Sequence, residues 1–130
     1  MQTLLATEET MMELKMPIRL VNRITIYTPP PDIEKIISAI LKFARLDNGP
    51  YEEVLWFSSE SGTEQFRPTS NANPTLGKEG KLERAASLKL EFSVSDDESL
   101  LEKVLSAAAK AHPWERPVII VSKEYEWYAN

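Results

Sequence analysis

Cysteine is absent from this 130-residue chain, and histidine occurs once, at position 112. The first absence excludes disulfides, thiolate metal sites and a cysteine nucleophile. The second means that one chain alone cannot build a histidine-rich metal site. A cationic surplus is missing too. Fifteen Lys and Arg stand against 20 Asp and Glu, for a formal net charge of −5. That balance argues against nucleic-acid binding, which needs a basic face, but it leaves room for a local basic pocket. No apolar run approaches the ~18 residues of a membrane span, so no membrane partner is expected. The segment 1–16 lacks the basic start and unbroken apolar core of a signal peptide, which makes the cytoplasm the expected compartment. We read 1–16 as a flexible N-terminal tail and 17–130 as a single domain, consistent with the chain's length.

The patterning that is present points to an α+β fold. In Ile18–Thr28 (IRLVNRITIYT), Ile24 and Ile26 share one parity and the stretch is rich in β-branched residues, which predicts a strand. Pro29, Pro30 and Pro31 end it. Over 32–46, Ile33, Ile36, Ile37, Ile40, Leu41 and Ala44 form one apolar stripe at helical spacing, closed by Asn48, Gly49 and Pro50. A second strand is predicted over 51–58. The stretch 59–81 reads as a long loop with three of the four glycines. In 82–94, Leu88, Leu90, Phe92 and Val94 alternate with polar residues, which predicts a third strand. Ser95 and Glu98 have the spacing of a capping box. The helix behind them puts Leu101, Val104, Leu105, Ala108 and Ala111 on one face. A last strand is predicted over 118–122, followed by an aromatic tail over 124–130. The order β-α-β, long connection, β-α-β predicts a ferredoxin-like sandwich: a four-stranded antiparallel sheet with two helices on one face. The other face then needs cover, for which Tyr27, Val54, Trp56 and Trp127 are the candidates.

Two stretches carry a more specific pattern. The loop holds Gly62, Thr63, Phe66, Arg67, Pro68, Asn73, Pro74, Gly77 and Gly80. The corner between the last helix and the last strand reads Ala111-His112-Pro113-Trp114-Glu115-Arg116-Pro117. Together they resemble the YqfO-type domain, which is found inserted in many bacterial Nif-three-like proteins and also as a small free-standing protein. The likeness covers about residues 22 to 122 and includes Gly49 and Tyr51. Three positions depart from the family pattern. Glu64 and Asn71 replace glycines, and Trp114 replaces a tyrosine. The resemblance implies a free-standing domain with a fold related to the PII signalling proteins and to CutA, whose ferredoxin-like subunits pack as trimers through their sheets. It implies a homo-oligomer, a trimer by analogy. In full-length Nif-three-like proteins, flanking domains build a two-metal site. Those domains do not match this chain, so the hydrolase activity tied to them is not carried over.

The residues themselves leave several readings open. His112 is either a structural cap at the negative end of the last helix, or a general base or a ligand of a metal site shared between subunits. Glu115 could orient its ring in either case. Arg67 either grips a phosphate or carboxylate, or pins the loop through Glu52, Glu64 or Glu115. Asn71, Asn73 and Gly77 supply polar donors and a glycine suited to wrapping an anion. The glycines do not make a P-loop, since no G-K-[ST] follows. Ser58, Ser59 and Ser61 lack a nucleophile elbow or a neighbouring base, so no catalytic residue is assigned. The candidate ligand-binding set is Phe66, Arg67, Asn71, Asn73, Gly77, His112, Trp114 and Glu115. The expected function is a non-enzymatic oligomeric module that binds a small anion or a protein partner at subunit interfaces, with no cofactor. The alternative is a metal-dependent hydrolase with His112 as a ligand at an intersubunit metal site.

Overall fold

The computed structural model describes residues 17–129, so the tail expected over 1–16 lies outside the described residues. β1 (Ile18–Thr28) forms as its alternation predicts and lies centrally in the sheet. A 3-10 turn over Pro30–Asp32 leads into α1 (Ile33–Leu41). Proline suits this entry because its φ is already near helical and the first N–H groups of a helix have no partner. β2 (Trp56–Phe57) and β3 (Gly62–Phe66) follow, then the long β4 (Glu83–Ser95), α2 (Glu98–Ala111) and β5 (Ile119–Trp127). The sheet is antiparallel, in the order β2-β4-β1-β5, with β3 also paired to β4. This is the ferredoxin-like arrangement, with both helices on one face.

The core lies between that face and the helices. Ile24 and Ile26 of β1 stand opposite Phe92 and Leu90 of β4, and all four are fully buried. Ile36 and Ile40 of α1 and Val104 and Ala108 of α2 close over them. Fully burying one large apolar side chain is worth roughly 1.5–3 kcal/mol, so these residues fix which face of each element points inward.

The expected second strand is divided. β2 is only two residues long and faces Glu91 and Leu90 of β4. β3, which falls in the expected loop, pairs with residues 83–87 of β4. The registers of β2 and β3 on β4 differ by two residues, and the chain from 58 to 61 takes up the slip. Four predicted strands thus become five. β2 is short because the chain just before it is engaged elsewhere. Residues 53 and 54 donate their N–H groups to the carbonyls of Arg45 and Leu46. That pairing also ends α1 at Leu41, short of the predicted residue 46. Leu46 turns to a φ of 53°, in the left-handed region, while its side chain stays buried.

β5 runs to Trp127, so most of the expected aromatic tail is strand. It pairs with β1 along its own full length, from Ile26 opposite Ile119 to Ile18 opposite Trp127. Lys123, Glu124 and Glu126 mask its apolar alternation, as charges do on many edge strands. Directly opposed residues share a face. Trp127 therefore joins the helix-side row of Ile18 and does not cover the open face. Trp56, opposite Glu91, and Tyr27, opposite Lys89, do lie on the open face, and Lys89 sits 5.5 Å above the Trp56 ring. Val54 precedes β2 and borders that face beside Arg19 and Arg23.

The start of α2 differs from the predicted capping box. The N-cap is Asp97, whose carboxylate accepts from the Leu100 N–H at 3.1 Å. Ser95 is the last residue of β4. Asp97→Ala is expected to lower stability by about 1 kcal/mol, and Ser95→Ala by no more than a few tenths, in urea unfolding. Equal losses would contradict this assignment.

Candidate functional site

The Pro-framed corner and the long loop meet at one end of the sheet. α2 stops where Pro113 forces it to, and His112 is its C-cap, with φ −73° and ψ 138°. The main-chain N–H of His112 makes the closing helical bond, to the carbonyl of Ala108 at 3.0 Å. Its ring leaves the helix and bridges two other elements. Nε2 lies 2.8 Å from the Tyr27 carbonyl, at the end of β1, and Nδ1 accepts from the Trp114 N–H at 3.0 Å. The neutral ring with its proton on Nε2 satisfies both contacts at once. His112 is 6% exposed, so each contact replaces one that water would otherwise provide. The ring is thus an internal brace, and its expected service to the helix dipole falls to its own backbone instead. With both nitrogens engaged, it has no lone pair free for a metal. Among the described residues, no group of three or more His, Cys, Asp or Glu could hold one.

The loop folds back over this corner from β3 and β4, which form a long hairpin arm. The Gly80 N–H donates to the Pro68 carbonyl at 2.8 Å and closes its base. Arg67 reinforces the closure by donating to the Gly80 carbonyl at 2.9 Å. None of the acids considered for Arg67 pairs with it. Glu52 pairs with Arg45, Glu64 accepts from the Ser87 hydroxyl at 2.6 Å, and Glu115 accepts from the Asn73 N–H at 2.9 Å. Glu115 therefore fastens the loop to the corner and does not orient His112. The Thr75 hydroxyl adds a second fastening, donating to the Pro113 carbonyl at 2.8 Å. Gly77 has a φ of +95°, and a Cβ there would lie 3.4 Å from Pro68 and 3.5 Å from Phe66. Glycine is needed for the left-handed turn, whereas a Cβ would make only ordinary van der Waals contact with these neighbours.

Phe66 and Trp114 meet where arm and corner touch, with ring centroids 5.5 Å apart and planes inclined by 56°. The His112 ring packs edge-on to Trp114 at 5.6 Å. Beside these rings opens a cleft of about 250 Å³, walled by Phe66, Pro68, Pro74, Leu76 and Trp114 and edged by Glu64, Glu115 and Arg116. Of the predicted set, the structure brings Phe66, Trp114 and Glu115 to this cleft. His112 and Asn73 hold those residues in place from behind. Arg67 and Gly77 shape the loop, and Asn71 is exposed on it. Sequence reasoning missed Pro74, Leu76 and Arg116 as lining residues. The available signals were an apolar Leu76 in a polar loop and an arginine framed by Pro113 and Pro117.

No protein-family model matches the chain. Curated relatives do. The GTP cyclohydrolase 1 type 2 homolog of Staphylococcus epidermidis is 33% identical over 108 residues, covering 81% of this chain and 28% of that protein. The homolog of Halalkalibacterium halodurans is 30% identical over 95 residues, covering 73% and 24%. The chain thus spans about a quarter of the length of these relatives. Among solved structures, a Bacillus cereus protein related to NIF3 superposes with a TM-score of 0.66 at 23% identity, over 82% of this chain and 26% of that one. CutA from Xylella fastidiosa gives 0.55 at 16% identity, covering 78% and 81%. The B. subtilis GlnK–ATP complex gives 0.51 at 16% identity, covering 81% and 82%. These likenesses show that the fold is PII/CutA-like.

The brace and the loop closure differ in expected worth. His112→Ala strands the Tyr27 carbonyl and the Trp114 N–H in a buried site and leaves a cavity, so it is expected to cost about 2–4 kcal/mol. Arg67→Ala removes one exposed hydrogen bond and is expected to cost under about 1 kcal/mol. Urea unfolding of the two variants checks the order. A His112→Ala protein as stable as its parent would contradict the bracing role.

Proposed function

We propose that the chain, which resembles one segment of the GTP cyclohydrolase 1 type 2 homologs of the Nif-three-like family and has the fold of CutA and GlnK, is an oligomeric binding module without chemistry of its own. It assembles through the open face and edges of its sheet. Near the boundary between copies, where loop and corner meet, it holds a small anion or a segment of a protein partner. The observation behind this reading is the uncovered sheet face. Both helices pack on the opposite side, and Trp56, Ile120 and Val118 are 50%, 50% and 45% exposed. Thr25, opposite Ile120, puts that residue on the same face as Trp56. Exposed apolar residues gathered on one sheet face are a common mark of an interaction surface. The nine-residue β5 also leaves one edge of the sheet unpaired among the described residues, which suits joining a neighbouring copy edge to edge. The engaged nitrogens of His112 support the view that the corner is architecture and not a reaction centre.

Light scattering on the eluting protein tests the assembly. The expected mass is three times the 14.8 kDa of one chain, unchanged on tenfold dilution. A mass of one chain at every concentration would overturn the reading. Trp56→Glu together with Ile120→Lys is expected to reduce the mass to that of one chain while leaving the circular dichroism unchanged.

A further inference from the structure

We infer that the cleft between loop and corner receives a basic side chain, lysine or arginine, of a partner polypeptide, with its stem along the apolar wall and its charged head among Trp114, Phe66, Glu64 and Glu115. The inference rests on the reading of the chain as a binding module and, of the two ligands named there, takes the partner segment. The wall is apolar: two prolines, Leu76 and two aromatic rings in contact with each other. The cleft's volume of about 250 Å³ lies below the roughly 300–1,000 Å³ of small-molecule pockets, so it suits one long side chain and not a nucleotide. The exposed Pro74, Leu76 and Val118 carry the apolar surface out of the cleft and give the neighbours of that side chain a place to lie.

The charge at the edge selects a cation. Glu64 and Glu115 border the cleft against Arg116 alone, which leaves one formal negative charge in excess. The Ser87 hydroxyl donates to one oxygen of Glu64, and the Asn73 N–H to one oxygen of Glu115. Both donors are neutral, so these bonds leave the carboxylate charges uncompensated. Each carboxylate keeps a second oxygen without a partner among the described residues, and neither forms an ion pair there. Arg116 is exposed and does not pair with the adjacent Glu115, so water screens it more than the half-buried Glu64. The rings act in the same direction. The face of an aromatic ring carries negative potential, strongest for Trp, and draws a cation within about 6 Å. Lys and Arg lay a carbon stem along apolar surface while the head stays in polar surroundings, which matches a wall of Pro74 and Leu76 edged by carboxylates.

The test is titration with the blocked peptide acetyl-leucyl-lysyl-leucinamide, followed by the three tryptophan indole N–H signals in a proton–nitrogen NMR spectrum, with the Trp114→Phe variant identifying one of them. The expected result is a saturable shift of the Trp114 signal, with those of Trp56 and Trp127 unmoved. Norleucine in place of the peptide's lysine keeps the stem and drops the charge. It is expected to weaken binding at least about fivefold, and glutamate there to abolish the shift. Glu64→Gln and Glu115→Gln each keep a carbonyl oxygen to accept from Ser87 or Asn73, so the loop stays closed. Each is expected to weaken binding of the lysine peptide about two- to fivefold, and Arg116→Ala to tighten it. An unmoved Trp114 signal, equal shifts of all three indoles, norleucine binding as well as lysine, undiminished binding to the doubly substituted Glu64→Gln, Glu115→Gln protein, or weaker binding to Arg116→Ala would each overturn the inference. Free butylammonium binding as tightly as the peptide would overturn a polypeptide as the source of the cation. Such a failure leaves the assembly reading standing, because scattering reads the mass and the titration reads the cleft.

Discussion

The imidazole of His112 ties the end of β1 to the corner that follows α2, a contact between residues 85 positions apart in the chain. Its Nε2 reaches the Tyr27 carbonyl, at the end of β1, and its Nδ1 takes the amide of Trp114, inside the corner. Its own backbone closes α2. The alternative arrangements are poor. A smaller side chain leaves two buried polar groups without partners, and an apolar side chain of the same size cannot bond either one. Fixing Trp114 in this way sets the position against which Phe66 packs, and Phe66 in turn sets the path of the loop through Gly77 and Pro68. The cleft is the space left between these parts.

The hairpin arm is the second determinant. β4 is thirteen residues long, while the part of it paired with β1 is eight. The surplus, residues 83–87, extends beyond β1 and takes β3 as its partner. That extension carries Phe66 and the loop to the corner, so the site depends on a strand too long for the central sheet. The split between β2 and β3 allows it, since the slip over 58–61 re-registers the arm without disturbing the core.

The sheet, the helices and the core were legible because burial repeats with a period. Ile24 and Ile26, the Ile33–Ile36–Ile40 stripe, and Leu90 with Phe92 all sit where their spacing puts them. β3 was not legible, because GTEQF has no apolar alternation and its pairing depends on distant residues 83–87. The one available sign was the unpaired excess of the third predicted strand. β5 was cut short because charges on an edge strand break the pattern that reveals a buried one. At the cap of α2, Ser95 fitted a local motif, but the β-pairing of Ser95 with Val21 left Asp97 to start the helix. At the site, the aromatic and proline positions could be read from the motifs. The partners of Arg67, Glu115 and His112 could not, because each is set by main-chain groups that only the fold brings near.

The central claim is that His112 is a neutral brace between two main-chain groups. The nitrogen chemical shifts of its imidazole test this directly, in a long-range proton–nitrogen NMR spectrum at neutral pH. The account predicts a single slowly exchanging ring with the proton on Nε2 and a bare, hydrogen-bonded Nδ1. A ring protonated on Nδ1, or one averaging freely between tautomers, would contradict it, and the loop, the corner and the cleft would then need another anchor.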